Sequence, residues 1–380
     1  MILYGVIYNA VLPWEFRSAQ DIKSRLFFLS IFISLNKNML QITKPVYGFI
    51  MVLSFALLSC NKEENKSTSK NISADWMSIL LDKYPTANIN MLSVCMPGAH
   101  DAGMYVVQEC SFGANSCNTQ TQYLDMGEML AAGIRIFDVR PIFFKNKYYT
   151  QHATDCNGLG CKGDLMDNIL DDTKAFLDDH AEVVILSLGH FCNMNGNDAV
   201  FLDYLENKLG NRIYKDDDPS LPLIRKSFRE ILPADLQTGK VILVFESGFD
   251  NTAENRALGY FTPTVLPSDG GWSNKDNFPE LKADQLSRYN SFVPDGNRLF
   301  SFSWQMTQST GLAVSCALNP AGYSIQDMAA ISNAALPLVM DSLVDAGAIS
   351  QLKFPNIIWT DDADALITRA CVRISEIALE

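Results

Sequence analysis

The chain has 380 residues, 48% of them hydrophobic, and a formal charge of −13. That is enough apolar material for one large core and, by length alone, for one to three domains. The acidic balance excludes a nucleic-acid binder, which would show a basic stripe, and argues against strong field-driven adhesion to anionic lipid.

Residues 1–60 read as a targeting segment. Met51–Ser59 (MVLSFALLS) is an apolar run shorter than a spanning helix needs, with Lys44 upstream as its positive flank. Leu57-Leu58-Ser59 precedes Cys60, a pattern that resembles a bacterial lipoprotein signal. Cys60 would then be lipidated and become the mature N-terminus. The alternative is an ordinary secretory signal with an incidental cysteine. A second apolar run, Leu26–Leu35, lies behind Arg25. Met39 with Lys44 already makes a complete signal, so residues 1–38 read as a mis-assigned start. Residues 61–73 are mainly polar and read as a flexible tether. The expected location is the bacterial cell envelope: exported, and held to a membrane by the lipid on Cys60.

Eight cysteines follow Cys60. An even number in an exported chain permits disulfides, and the local pairs Cys110–Cys117 and Cys156–Cys161 sit in polar loops. Cys95 lies in an apolar run and reads as a buried thiol. Zinc is the weaker reading, because no CxxC pair or histidine cluster accompanies the cysteines.

From residue 74 on, strand-like and helix-like segments alternate. Met91–Met96 (MLSVCM), ended by Pro97 and Gly98, reads as the first strand. Leu124–Ala132 is a helix that Gly133 stops. Ile134–Val139 is the second strand, and Tyr148–His152 a short third. Asp164–Asp179 carries Leu165, Ile169, Phe176 and Leu177 near helical spacing, with carboxylates opposite. Val183–Leu188 is almost wholly apolar, as a strand covered on both faces would be. Asp198–Leu209 is a helix, Val241–Phe245 a buried strand, and Leu299–Trp304 and Asn356–Thr360 the last two strands. This alternation predicts a single α/β domain over residues 74–380, a (β/α) barrel of the TIM type. A doubly wound sheet competes, but no GxGxxG or P-loop pattern appears.

Polar groups gather at the ends of these apolar runs: His100 and Asp101, Asp138 and Arg140, His152, His190, Glu246, Gln305 and Asp361. In a barrel these ends build the active site. Asp138 and Arg140 share a side of their strand with Ile134 and Ile136, which places charge above apolar filling. A structural Asp–Arg pair would give the same pattern, and each histidine alone could be structural. Two imidazoles, a guanidinium and carboxylates can together move a proton off a hydroxyl, neutralise a phosphate and protonate a leaving group.

The stretch Ser93–Gly103 (SVCMPGAHDAG) resembles the first signature of the catalytic X domain of bacterial phosphatidylinositol-specific phospholipases C. Gly133–Arg140 (GIRIFDVR) is similar to the second, Tyr149–His152 (YTQH) to the third, and Glu182–Leu188 to a strand of that family. The resemblance is good over residues 90–190 and thinner beyond. It implies a distorted α/β barrel and two-histidine phosphodiester cleavage. His100 would be the general base, Arg140 the phosphate ligand beside Asp138, and His152 the general acid assisted by Asp101. Asp361 would orient the base, with Asp362 as its neighbour and rival. The products would be diacylglycerol and a cyclic inositol phosphate. No cofactor is implied. Calcium-using relatives have other residues where Asp101 and Asp138-Val139-Arg140 stand, so no metal is expected either. The triplet Asp216–Asp218 reads as a solvated acidic loop.

Two positions depart from the family. Gly189-His190 stands where a lysine follows the fourth strand, and Glu246 stands where a basic residue ends the fifth. His190 and Glu246, with Asp276 and Phe278, are the candidate headgroup contacts. His180 reads as structural. The expected partners are a phospholipid or inositol-phosphate headgroup and a membrane. The alternative is a surface lipoprotein that binds a lipid or glycan headgroup without turnover.

Overall fold

Pro97 and Gly98 lie inside a strand, not at its end. The computed structural model describes residues 72–380, apart from 195–197, 217, 219 and 249. Eleven strands occur among them: β1 (Met96–Ala99), β2 (Ile136–Val139), β3 (Pro141–Phe144), β4 (Lys147–Ala153), β5 (Gly160–Leu165), β6 (Val183–Leu188), β7 (Lys240–Phe245), β8 (Tyr260–Phe261), β9 (Ser268–Gly270), β10 (Leu299–Ser303) and β11 (Ile357–Thr360). The targeting segment, Cys60 and nearly all of the tether lie outside the described residues.

The expected first strand, Met91–Met96, is displaced. Only Met96 belongs to β1, which pairs in parallel with β11 from Met96↔Ile357 to Ala99↔Thr360. Pro97 is tolerated there because its neighbours do not need its missing N–H. Its carbonyl accepts from Arg135 N at 3.0 Å. Gly98 is required by space: a Cβ would sit 2.8 Å from Trp359 Cε3 and 3.0 Å from Ile136 Cγ2. Met91 and Val94 are buried beneath the strand.

Eight strands form one parallel sheet in the order β8-β7-β6-β2-β1-β11-β10-β9. This is the winding of a TIM-type barrel, and among the described residues no ladder joins β8 to β9. Alternate residues divide between clusters, as strand geometry demands. Met96, Ile136, Ile185, Ile242, Val244, Phe261 and Ile357 fill the interior. Phe137, Val139, Leu186, Leu188 and Leu243 pack outward with residues of the helices Met126–Ala132, Met166–Asp179 and Asp198–Leu209. Phe300, Phe302, Trp304 and Ile358 pack outward with residues of Phe278–Ser291, Ile325–Asp345 and Ala365–Leu379. Truncating one such leucine to alanine costs about 2–5 kcal/mol. Ile134 departs from the parity expectation and joins the outer cluster. The chain there is still leaving the helix that Gly133 closes at φ 102, so strand alternation begins only at Ile136.

Tyr148–His152 is not a wall of the barrel. It belongs to β4, the middle strand of a second, antiparallel sheet ordered β3-β4-β5. Lys145 and Asn146, at φ 48 and 60, make the two-residue turn between β3 and β4. The small sheet is an excursion between β2 and β6, and it brings His152 in from the side.

Both expected local disulfides are replaced by non-local ones: Cys110–Cys161, Cys156–Cys192 and Cys117–Cys316. The hairpin folds Cys161 back against the 110 loop, and the helix Thr310–Leu318 brings Cys316 to Cys117. Cys95 is a buried free thiol, as expected, and so is Cys371. Asp216 is likewise not solvated. It is fully buried and pairs with Lys226 Nζ at 2.5 Å and with Arg256. His180 is structural: it stacks on Phe176 and meets Asp75 Oδ1 at 2.7 Å.

Candidate active site

Strand ends set the positions. His100 follows β1, Arg140 follows β2, Gly189 and His190 follow β6, Glu246 follows β7, and Asp361 follows β11. His100, Arg140, Gly189, Glu246 and Asp361 continue the inward parity of Gly98, Asp138, Ser187, Val244 and Trp359. They therefore ring one mouth of the barrel, above the apolar filling.

His100 is held at three points. Its Nδ1 meets Asp361 Oδ1 at 2.8 Å. Its Nε2 meets Arg140 Nη2 at 3.0 Å and lies 3.5 Å from Asp101 Oδ2. A guanidinium only donates, so the Arg140 contact is a hydrogen bond when Nε2 is unprotonated and Nδ1–H faces Asp361. Burial works against charge on the ring, but Asp101 and Asp361 outweigh it and raise the pKa to about 9. The ring is thus a strong base whose protonation sets two cations face to face.

Arg140 bridges the carboxylates. Its Nη2 donates to Asp138 Oδ2 at 2.7 Å, and its Nε lies 2.6 Å from Asp101 Oδ1. Burial opposes the Asp138 charge, but Arg140 overcomes it and holds that carboxyl below its usual range. Burial also raises the Asp361 carboxyl, against the pull of His100. Asp362 is raised to about 6 by burial and by the charges of Asp364 and Asp361, and it carries no contact to His100. Asp101 has a fully buried side chain at φ 45, and neither of its carboxylate oxygens accepts a hydrogen bond. Its contact with Arg140 is Coulombic.

His152 completes the centre. Its Nε2 lies 3.8 Å from Asp101 Oδ2, the oxygen that also faces His100. Its Nδ1 meets the Thr119 carbonyl at 3.0 Å, which fixes Nδ1 as the donor. His100, Asp101 and Asp138 also present ligand atoms within 4.8 Å of one another, a spacing that could hold a cation. The Arg140 guanidinium already lies against both carboxylates and supplies the positive charge there.

The four candidate headgroup residues fall into two places. His190 Nε2 lies 4.0 Å from Glu246 Oε2, both partly exposed at the mouth. Asp276 and Phe278 line a cavity of about 640 Å³ with Met306, Leu312 and Tyr323, whose lining includes none of His100, Arg140 or His152. Phe278 packs edge-on against Trp304 with ring centroids 5.7 Å apart, so its ring serves the outer core. Gln305, two residues past β10, keeps its Oε1 buried and without a hydrogen-bond partner.

Two positioning residues had no clear signal in the sequence. Gln122 is fully buried, donates to the His100 carbonyl at 2.7 Å, and accepts from Ala363 N at 2.9 Å. It ties the His100 turn to the Asp361 turn. Thr119 sets the His152 ring. Both lie in Asn118–Gln122 (NTQTQ), an uncharged polar run that reads as solvated loop until packing buries it.

No family model matches the chain, and no curated protein matches it by sequence. Solved structures do match. A Staphylococcus aureus phosphatidylinositol-specific phospholipase C with incorporated pentafluoro-Phe aligns at TM-score 0.53 and 15% identity, covering 80% of this chain and 99% of that one. The phosphatidylinositol-specific phospholipase C of Listeria monocytogenes aligns at TM-score 0.54 and 19% identity, covering 80% and 98%. A barrel of eight parallel strands, with its polar ring at the carboxyl ends, therefore has the fold of the bacterial phosphatidylinositol-specific phospholipases C.

Proposed function

We propose that this protein is a phosphodiesterase of the phospholipase C type, acting without a metal on a phosphoinositide-type lipid. The observation that carries the reading is geometric: both imidazole Nε2 atoms flank one buried carboxylate oxygen, with Arg140 against the first ring. A substrate phosphate would draw Arg140 Nη2 onto its oxygens and free His100 Nε2. His100 then takes the proton of the hydroxyl beside the phosphate, and that oxygen attacks phosphorus. Arg140 stabilises the charge gathering on the phosphoryl oxygens. His152 passes a proton from Nε2 to the departing diacylglycerol oxygen, leaving a cyclic inositol phosphate. Asp101 sits between the two rings and balances their charge, while Asp361 holds the base by its Nδ1–H. Asp138 keeps Arg140 in place. The same rings in exchanged roles would open the cyclic product with water.

Around this centre, His190 and Glu246 are the nearer headgroup contacts, and Asp276 and Phe278 the farther ones. The protein acts at the bacterial cell envelope, exported and anchored through Cys60. The signal pattern before Cys60 and three disulfides support that placement. Labelling with a fatty acid that is lost in Cys60→Ser tests it.

A second reading, a headgroup-binding surface lipoprotein without turnover, draws support from Glu246, whose carboxylate lies over Gly189 in the mouth. Phosphatidylinositol vesicles separate the two. The enzyme releases cyclic inositol phosphate, visible by phosphorus NMR, and His100→Ala abolishes it. Vesicle binding with no product on any headgroup would favour the second reading.

A further inference from the structure

The two imidazoles of the mouth are held by different means. His100 sits among charged partners, with Asp361 at its Nδ1 and Arg140 at its Nε2. Among the described residues, the His152 ring makes one hydrogen bond, from Nδ1 to the Thr119 carbonyl at 3.0 Å, and its Nε2 stands 3.8 Å from Asp101 Oδ2. Disulfides gather around this second ring instead. Cys161 lies directly across the ladder from His152 and is bonded to Cys110. Cys156, in the connection from β4 to β5, is bonded to Cys192. Cys192 runs beside β3, where its N–H donates to the Pro141 carbonyl at 3.0 Å. Cys117, in the short helix that ends at Thr119, is bonded to Cys316. None of these cysteines lies in the eight-stranded sheet.

The end of β4 needs such links. The register of β4 on β5 shifts between Tyr149 and Gln151, just before His152. At that break the small sheet is tied to the barrel: Gln151 N donates to the Arg140 carbonyl at 3.0 Å, and Thr150 Oγ1 to the Gly103 carbonyl at 3.0 Å. Past it, β4 ends at Ala153 and the chain enters an exposed turn over residues 154–157. Two bridges close that end, one to the 110 loop and one to the chain beyond β6. Cross-links restrict a segment that has few buried contacts of its own. Cys110 and Cys156 are exposed and line one cavity of about 390 Å³ with Gln151 and Lys162. Cys117 and Cys316 are both buried. A small thiol therefore reaches the first two bridges and not the third.

Resting on the proposed phosphodiesterase reading, we propose that the Cys110–Cys161 and Cys156–Cys192 disulfides are positioning devices for the general acid, and make it sensitive to reduction. Closed, they keep His152 Nε2 at the carboxylate it shares with His100. A dithiol opens each bridge when its thiolate attacks the exposed sulfur and releases Cys161 or Cys192. Its second thiol then displaces Cys110 or Cys156, and the reagent leaves as a cyclic disulfide. Two electrons pass to the bridge, and the two thiol protons end on the cysteines. His152 is then free to leave the mouth. His100, Arg140 and Asp361 stay, because they hold one another at the ends of barrel strands.

Wild type is treated with dithiothreitol, alkylated, and assayed on two substrates: phosphatidylinositol vesicles, and an inositol phosphodiester whose p-nitrophenolate departs without a proton. Mass spectrometry should find the label on Cys110, Cys161, Cys156 and Cys192. Phosphatidylinositol kcat should fall by about 10²-fold or more, the ordinary worth of a general acid. The p-nitrophenyl rate should stay close to that of the oxidised protein, with its basic pH limb unmoved. Cys110→Ser with Cys161→Ser, and Cys156→Ser with Cys192→Ser, should each reproduce part of the loss without reagent. The activated substrate reports a folded barrel with His100 in place, so a role in stability alone would lower both rates together. Parallel loss on both substrates, or no loss with the bridges open, overturns the inference and leaves the proposed function standing. Absence of His100-dependent turnover of either substrate by the oxidised protein overturns the proposed function instead. The positioning is then read from imidazole ¹⁵N signals: reduction should shift His152 alone, and equal shifts at His100 and His152, or none, overturn it.

Discussion

The β11–β1–β2 side of the mouth and the β6–β7 side are built differently. On the first, His100 lies within hydrogen-bond or ion-pair distance of Asp101, Arg140 and Asp361, Arg140 also meets Asp101, and Asp101 and Asp361 are almost wholly buried. On the second, His190 and Glu246 are 59% and 41% exposed and meet only at 4.0 Å. A side fixed by mutual charge can impose one geometry on a reacting phosphate. A loosely paired, solvated side can change its headgroup without disturbing the chemistry. On the proposed function, bond cleavage and headgroup choice would be divided between two halves of one ring.

Substitutions on the fixed side should be the most damaging. His100→Ala should lower phosphatidylinositol turnover by about 10²–10⁴-fold, the ordinary worth of a general base. An unchanged rate would move the chemistry elsewhere. Arg140→Lys should lower kcat by about 10²–10³-fold with a smaller change in KM, because an ammonium cannot hold two phosphoryl oxygens in one plane. If KM alone rises, Arg140 serves binding only.

The buried link between the two turns gives the next effect. Gln122→Ala leaves the His100 carbonyl and the Ala363 N–H without a partner, and should cost about 1–3 kcal/mol in urea unfolding. A stability equal to wild type would show that the turns hold themselves.

The basicity of His100 makes the site pH-dependent. Its folded pKa of about 9 lies above the unfolded value of about 6.5. The stabilisation is therefore full below about 6.5 and lost as pH rises through about 9. Activity runs the other way: kcat/KM should climb as pH approaches 9 and the base loses its proton. Asp361→Asn removes a supporting charge, so the limb should move to lower pH; a limb that stays fixed would assign it to another group. On the loose side, Glu246→Gln should change stability by no more than about 0.5 kcal/mol. A larger loss would mean that Glu246 is structural.

Much of the fixed side was legible in the sequence because it lies on local patterns. Asp138 and Arg140 fall two apart at the end of an apolar run, and His100 and Asp361 directly follow strand residues. What escaped depends on contacts far apart in the chain. Cys117 and Cys156 prefer partners that only the packed loops bring near. Gln122 and Thr119 take their roles from the turns they meet. β8 and β9 are two and three residues long, too short to show a period. Asp216 looked solvated because Lys226 and Arg256, its counterions, are distant in sequence. His152 was found for an incomplete reason: it reaches the mouth from a side sheet and not from a barrel strand.

The central claim is that the two imidazoles act in opposite senses on one phosphodiester. It is tested most directly with an inositol phosphodiester whose leaving group is p-nitrophenolate, which departs without a proton. His152→Ala should cleave it at close to the wild-type rate while failing on phosphatidylinositol, and His100→Ala should fail on both. Equal loss in both variants on the activated substrate, or full activity in His100→Ala, would contradict the assignment.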